Sequence, residues 1–189
     1  TGYLEVLTDP SYAGQAVVMT YPLIGNYGVC YADMESEQAW PDGYIVREIA
    51  RRPSNFRSEG GIEAFLLKHD IPGVCGIDTR ALTKILREKG TMNGMITTNE
   101  NFDIEEVKAK LKNYSPTGVV EKVSRDKKTE HRAEPGTEKG LHVALMDFGS
   151  KNNITRCLTK RGCAVTVYPA MTTAEEILAS NPDGIMLSN

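Results

Sequence analysis

Residues 142–149 read His-Val-Ala-Leu-Met-Asp-Phe-Gly, and this stretch determines the fold that we predict for the C-terminal part of the chain. An apolar run that ends in a polar residue and a glycine is typical of a buried strand followed by a tight turn. Beyond the turn, Ile154, Cys157 and Leu158 recur at the spacing of one helix face, and Gly162 follows as a stop signal. The next apolar run, at 163–168, predicts a second strand.

A second helix and a third strand follow with short connections. Thr173 and Glu176 have the spacing of a capping box, and Asn181-Pro182 ends the helix that begins there. Residues 184–187 predict the third strand. The succession strand, helix, strand, helix, strand predicts a parallel sheet with right-handed crossovers, the start of an α/β domain.

The sequence before this unit is less regular. Apolar runs predict strands at 16–20, 44–46 and 74–77. Three helices are also predicted. The first carries Ile62, Phe65 and Leu66. The second is capped by Asp78, ends at Gly90 and has an apolar face formed by Leu82, Ile85 and Leu86. The third is capped through Asp103 and Glu106, and its apolar face consists of Ile104, Val107 and Leu111. Strands mixed with helices, without strict alternation, predict an α+β domain, which we place at residues 1–121.

Residues 122–140 separate the two parts. They are charged, contain almost no large apolar side chains and include Pro135-Gly136, as linkers do. A basic run can also bind phosphate, but acidic residues interleave here with the basic ones, which favours a linker. The predicted organisation is an N-terminal domain at 1–121, a linker at 122–140 and the beginning of an α/β domain at 141–189.

Composition excludes several classes of function. The chain has 189 residues, with 22 Lys and Arg against 25 Asp and Glu and a formal net charge of −3. This balance argues against nucleic acid or an anionic membrane as a partner. No apolar run approaches the roughly 20 residues that span a bilayer. The chain begins at Thr1 rather than Met and stops at Asn189, directly after a predicted strand, so we expect a piece of a longer protein.

The cysteines and histidines indicate neither a metal site nor a catalytic thiol. The four cysteines form no C-x-x-C pair, and the three histidines are too scattered for a ligand cluster; these residues are Cys30, Cys75, Cys157, Cys163, His69, His131 and His142. We therefore expect the cysteines to be small buried hydrophobes of a protein in the reducing cytosol.

The turn at Asp147-Phe148-Gly149 leaves two interpretations open. Its place after the first strand of a β-α-β unit is where such sheets bind ligands. It lacks the G-x-G-x-x-G of dinucleotide sites and the G-x-x-x-x-G-K-[ST] of a P-loop, and no other kinase motif accompanies it. The alternative is a structural turn in which Gly149 permits a sharp exit and Asp147 caps the next helix.

Two polar stretches in the N-terminal part are also ambiguous. Residues 52–58 form either an anion site or protein-contact loop, or a turn whose Ser58 caps the next helix. In residues 76–80, Asp78 serves as a helix N-cap. Arg80 lies in the first helical turn, where the helix dipole disfavours cations, which suggests a carboxylate partner elsewhere in the fold.

Several longer strings, in order along nearly the whole chain, resemble one family. They are residues 1–3, 5–15, 21–22, 24–28, 52–58 and 76–83, followed by Asp147-Phe148-Gly149-x-Lys151-x-Asn153-Ile154 and residues 182–189. The family is the small, glutamine-hydrolysing subunit of carbamoyl phosphate synthetase. Leu4 departs from the pattern, because Gln is expected there. The resemblance implies that 141–189 is the beginning, a parallel βαβαβ unit, of a class I glutamine amidotransferase domain.

The resemblance also implies an activity and a partner. The family's small subunit hydrolyses glutamine with a Cys nucleophile, a His base and an orienting Glu. Ammonia then passes through a tunnel to a large subunit, which uses ATP, Mg²⁺ and bicarbonate to make carbamoyl phosphate for pyrimidine and arginine synthesis in the cytoplasm. The implied assembly is a heterodimer in which the N-terminal domain docks against the large subunit. No cofactor is expected in this chain.

The catalytic residues of the family are expected beyond the sequence given. A Gly-Pro-Gly loop follows the position of Asn189 in the family, and the nucleophilic Cys, the His and the Glu come later still. No catalytic residue is therefore assigned here, and Asn189 is predicted to lie next to the glutamine substrate. We expect these 189 residues to be inactive by themselves. One alternative is a non-catalytic docking module for the large subunit at residues 1–125, and another is a separate flavodoxin-like ligand-binding domain at the C-terminal end.

Overall fold

The computed structural model describes residues 2–188, which divide into two compact units. The first unit contains residues 2–8, 12–34 and 38–117. The second contains residues 118–188 together with two tripeptides, 9–11 and 35–37, from early in the chain. Within residues 2–188, no helix is long and apolar enough to cross a membrane.

The first unit is a mixed α/β structure with parallel strands. Its strands are β1 (Ala16–Val18), β2 (Leu23–Ile24), β3 (Gly43–Ile45), β4 (Glu48–Ile49) and β5 (Gly73–Val74), and its helices are α1 (Tyr3–Leu7), α2 (Ile62–Lys68), α3 (Thr79–Lys89) and α4 (Ile104–Asn113). Strands β1, β3 and β5 form one parallel sheet, and β2 pairs with β4 in a second. Its buried core is formed chiefly by α1, α2 and the strands, and consists of Tyr3, Leu4, Leu7, Val17, Ile24, Val29, Tyr44, Val46, Ile62, Phe65, Leu66 and Ile71.

Two predicted helix caps of the first unit, Asp78 and Asp103, are confirmed. The Asp78 side chain accepts a hydrogen bond from the Ala81 N–H at 3.0 Å, at the start of α3. The Asp103 side chain accepts from the N–H groups of Glu105 and Glu106 at the start of α4. The apolar faces predicted for these helices are less buried than expected, because Ile85 and Ile104 remain about half exposed.

The second unit contains the predicted alternation of strands and helices. Its elements are α5 (Val119–Val123), β6 (Thr129–His131), β7 (Leu141–Asp147), α6 (Asn152–Lys160), β8 (Cys163–Pro169), α7 (Ala174–Leu178) and β9 (Gly184–Leu187). The sheet order is β6-β8-β7-β9, with β7 parallel to both β8 and β9. The capping box of α7 forms through Thr173 and Glu176. On one face of the sheet, Ile154 and Leu158 of α6 pack against Leu145, Val165 and Val167.

The segment predicted as a linker at 122–140 carries regular structure. Strand β6 lies within it and pairs antiparallel with β8, in the register Thr129 with Val167. This strand was not predicted, because all three of its residues are polar and exposed and the sequence therefore shows no apolar alternation. It pairs with the outer edge of β8 and satisfies backbone hydrogen-bonding groups there. Charged side chains on such an edge strand disfavour pairing with a strand of another molecule.

Two expectations about the first unit and the cysteines were wrong. The predicted strand at 74–77 ends at Val74, and Gly76 has φ = +86°. Cys75 follows that strand and is exposed, whereas a buried position was expected; Cys30 is buried, and Cys157 and Cys163 are partly exposed. The apolar neighbours of Cys75 belong to a short strand and a turn, so the alternation of a buried strand does not extend to it.

Candidate functional site

The candidate site is the turn at 147–150, at the carboxyl end of β7. Asp147 is the last residue of the strand and is buried. Its Oδ1 accepts hydrogen bonds from the N–H of Gly149 at 3.0 Å and from the N–H of Ser150 at 2.6 Å. Asp147 therefore organises the turn itself. The helix N-cap is Lys151, so the prediction that Asp147 caps α6 was wrong.

The other oxygen of Asp147 is paired with Arg125. Its Oδ2 accepts from the backbone N–H of Arg125 at 3.0 Å and from the guanidinium Nε at 2.8 Å. Burial by itself raises the pKa of the Asp147 carboxyl, but the hydrogen bonds from Ser150 and Arg125 outweigh burial and hold the pKa below its usual value. Asp147 is thus a fully engaged carboxylate, which leaves it no free oxygen for proton transfer to a ligand.

Gly149 and Ser188 fix the path of the turn. Gly149 has φ = +105°, and a Cβ there would lie 2.9 Å from Cγ2 of Val123 and 3.2 Å from Cβ of Pro10. Only glycine fits both the backbone conformation and the space. Across the sheet, Ser188 Oγ accepts from the N–H of Phe148 at 2.8 Å, so the residue after β9 is fixed to the residue after β7.

The tripeptide 9–11 lies against the same turn. Asp9 is buried, and its Oδ2 pairs with Nζ of Lys151 at 2.8 Å. Its Oδ1 accepts from the N–H of Ser11 at 2.9 Å. Burial raises the pKa of Asp9, and the hydrogen bonds from Lys151 and Ser11 more than reverse this and lower it. The Lys151 ammonium is therefore held beside the turn by an ionised partner.

The tripeptide 35–37 supplies the cap that α6 lacks locally. The backbone carbonyl of Glu35 accepts from the N–H of Asn152 at 2.7 Å, and its side chain accepts from the N–H of Asn153 at 2.9 Å. The same carboxylate lies 3.7 Å from the Arg156 guanidinium. Two of the N–H groups that a helix start leaves without partners are thus satisfied by a residue remote in sequence.

The predicted substrate-adjacent residue, Asn189, lies outside the described residues, and its role stays a prediction. Its predecessor Ser188 is buried at the edge of the turn. Among residues 2–188, no group of three or more His, Cys, Asp or Glu side chains could hold a metal ion. In the same range, no cysteine hydrogen-bonds a histidine: Cys30 lies 3.1 Å from the Arg57 guanidinium, and Cys157 contacts Asn153.

Of the two polar stretches of the first unit, 52–58 contains a turn and 76–80 forms the start of α3. In 52–58, Asn55 Oδ1 accepts from the N–H of Arg57 at 2.8 Å. Ser58 does not cap the next helix, since α2 begins after Gly61. Arg80 lines a cavity of about 340 Å³ beside Arg47 and Asp78, but among the described residues it has no ion pair with a carboxylate, so the expected partner is not found.

Comparison with known proteins decides the family. Residues 1–96 match the family model described as "Carbamoyl-phosphate synthase small chain, CPSase domain". Residues 144–189 match the model for class I glutamine amidotransferases. This chain belongs to the carbamoyl-phosphate synthase small-chain family. The resemblance of the sequence motifs to that family is confirmed, and the turn at 147–150 falls within the amidotransferase match.

Individual relatives agree with this assignment. Over 189 residues the chain is 52% identical to the carbamoyl phosphate synthase small chain of Clostridium perfringens, and the alignment covers 100% of this chain and 52% of the relative. It is 48% identical over 190 residues to that of Listeria monocytogenes, again with 100% of this chain and 51% of the relative. For Bacillus cereus the identity is 49% over 189 residues, with 100% and 50% coverage. The chain spans about half the length of these small-chain relatives.

Proposed function

We propose that this chain is part of the glutamine-hydrolysing small subunit of a carbamoyl phosphate synthetase. The subunit releases ammonia from the side-chain amide of glutamine and passes it to a large subunit. The observation that carries the proposal is the order of the two family matches, a small-chain domain followed in the same chain by a class I amidotransferase domain. The large subunit uses ATP and Mg²⁺ to make carbamoyl phosphate for pyrimidine and arginine synthesis in the cytoplasm.

The chemistry is amide hydrolysis through a covalent thioester. A thiolate attacks the amide carbon, an oxyanion hole holds the tetrahedral intermediate, and ammonia leaves when the thioester forms. Residues 1–189 supply none of the catalytic groups of this reaction. Their part is to form the edge of the sheet at which ligands of open α/β folds bind. Asn189 contacts glutamine there, which is supported by the hydrogen bond that fixes its neighbour Ser188 to Phe148.

Residues 1–189 by themselves do not hydrolyse glutamine. This is supported by the surroundings of the cysteines, because an activated thiolate needs a base within hydrogen-bond reach and none of the four hydrogen-bonds a histidine within residues 2–188. The test is ammonia release from glutamine, measured for residues 1–189 and for the complete gene product that contains them. We expect release only from the complete product. Ammonia release above a blank by residues 1–189 alone would refute the proposal that these residues do not hydrolyse glutamine by themselves.

A non-catalytic docking role towards the large subunit is the second candidate. It is favoured by one observation, the aromatic side chain of Phe56, which is 97% exposed in the first unit. The two roles are compatible within one subunit. They separate in a binding experiment, because association of residues 1–189 with the large subunit needs no glutamine hydrolysis.

A further inference from the structure

Phe56 is the most exposed large hydrophobic side chain among residues 2–188. It is 97% exposed, whereas the next are Leu67 and Met171 at 79%. Single exposed apolar residues are common and need no special explanation. Two features beside Phe56 point to a binding role: its loop is hydrogen-bonded on both sides, and unpaired positive charge precedes it in the chain.

The loop that carries Phe56 is hydrogen-bonded on both sides of it. Before Phe56, the Ser54 N–H donates to the Asn26 carbonyl at 2.9 Å. After it, the N–H groups of Arg57 and Ser58 donate to Asn55, at 2.8 and 3.1 Å. The aromatic ring is therefore held in solvent by a built turn, and little backbone freedom is left to lose when it binds.

The Arg57 side chain ties the loop to the rest of the first unit. Its Nη2 lies 2.6 Å from Oδ1 of Asp33 and 3.1 Å from Sγ of Cys30. Immediately beyond the loop, the Glu59 N–H donates to the Val29 carbonyl at 2.8 Å, and the Val29 N–H donates to the Gly60 carbonyl at 2.9 Å. These contacts direct the Arg57 side chain to the protein and leave Phe56 pointing away from it.

Unpaired positive charge precedes the ring in sequence. Arg51 and Arg52 are exposed, and within residues 2–188 neither makes an ion pair or a side-chain hydrogen bond. Residues 51–57 contain three arginines and no acidic residue. Aromatic and arginine side chains are the residue types most enriched at the energetic centres of protein interfaces. The complementary surface is an apolar pocket bordered by carboxylates.

We propose that Phe56, with Arg51 and Arg52 beside it in the chain, is a docking element that inserts into an apolar, acid-rimmed pocket of the large chain of carbamoyl phosphate synthase. This rests on the proposed function, which supplies the partner. The kind of pocket is inferred from residues 51–57 themselves, because an exposed ring and unpaired guanidinium groups fit an apolar pocket that carries negative charge. We call residues 51–57 the docking loop.

The test measures the affinity of the complete gene product for the large chain of the same organism by calorimetry or interferometry. Phe56→Ala is expected to weaken binding at least tenfold, and Phe56→Tyr to retain it within about threefold. Leu67→Ala removes another exposed apolar side chain of the same unit and is expected to leave the affinity unchanged. Exchanging both Arg51 and Arg52 for Gln is expected to weaken binding and to remove most of its salt dependence.

The outcomes separate this inference from the function on which it rests. If the unsubstituted protein does not bind the large chain, the proposed function fails. If it binds and Phe56→Ala binds equally well, the docking loop is refuted while the function stands. Because Phe56 is almost fully exposed, its substitution is expected to leave the circular dichroism spectrum and melting temperature unchanged, and a loss of both would also overturn the proposal.

Discussion

The carboxylate of Glu35 caps helix α6 at Asn153, across 118 positions of sequence and at 2.9 Å. Its backbone carbonyl caps the preceding N–H, that of Asn152. The helix start beside the candidate site is thus fixed by a residue outside the amidotransferase match.

Glu35→Ala is expected to destabilise the start of α6 by about 1 kcal/mol, because an N-cap acceptor and a negative charge at the positive end of the helix dipole are both lost. Hydrogen exchange of the Asn153 amide measures this directly, and a roughly fivefold faster exchange is expected. Glu35→Gln keeps an acceptor oxygen and is expected to have the smaller effect. Equal exchange in all three proteins would contradict the cap.

Gly149→Ala is expected to destabilise the second unit by about 2 kcal/mol or more, since it combines left-handed backbone strain with a clash against Val123. Denaturant unfolding measures the change. Two controls divide the effect. Gly140→Ala carries the positive φ of +68° without any neighbour within 4 Å, and Gly184→Ala carries neither. If Gly149→Ala lowers the free energy of unfolding no more than Gly140→Ala does, the turn at Gly149 is not closely packed against Val123.

The Asp147–Arg125 pair predicts a dependence of stability on pH. Because hydrogen bonds hold the pKa of Asp147 below its ordinary value, its ionised form stabilises the folded state above about pH 4, and that contribution is lost as pH falls through the folded-state pKa. Asp147→Asn is expected to cost about 3 kcal/mol near pH 7, as for other broken buried pairs, and the gap to the unsubstituted protein is expected to narrow towards pH 3.

The matched control for that pair is an exposed one in the same unit. Lys128 and Glu130 lie 3.4 Å apart, and both side chains are more than half exposed. Glu130→Gln is expected to change the free energy of unfolding by less than about 1 kcal/mol at any pH, because solvent screens the pair. An equal cost for Asp147→Asn and Glu130→Gln would show that burial gives Asp147 no special role.

Helix α4 is expected to depend on its cap more than on packing. None of its residues is buried, and it is supported by Asp103 and by two exposed ion pairs, Glu105–Lys108 and Glu106–Lys110. Asp103→Ala is expected to cost about 1 kcal/mol locally and to speed amide exchange in the first turn of α4. Unchanged exchange in that turn would mean that contacts other than the cap hold the helix.

Local signals in the sequence predicted the elements that depend on local chemistry. The caps of Asp78, Asp103 and Thr173 lie where they were predicted, because a short polar side chain directly before the first helical residue can accept from the free N–H groups of the first turn. The packing face of Ile154 and Leu158 was also predicted, because the helical spacing of its apolar residues does not depend on what the helix packs against.

Elements that depend on distant contacts could not be predicted. Strand β6 has no apolar alternation, because it pairs only through its backbone at the sheet edge. Glu35 and Asp9 carry no pattern that points to α6 or Lys151. For the candidate site, the position of the 147–150 turn followed from the apolar run before it, but the pairing of Asp147 Oδ2 with Arg125 required the structure.

The proposed role in a glutamine-hydrolysing small subunit is tested by glutamine-dependent synthesis of carbamoyl phosphate. The assay combines the complete gene product with the large chain of the same organism, ATP, Mg²⁺ and bicarbonate, and compares glutamine with ammonia as nitrogen source. We expect synthesis from glutamine with the complete product. With residues 1–189 in its place, we expect synthesis from ammonia but none from glutamine. Synthesis from ammonia but none from glutamine with the complete, folded product would refute the proposed function.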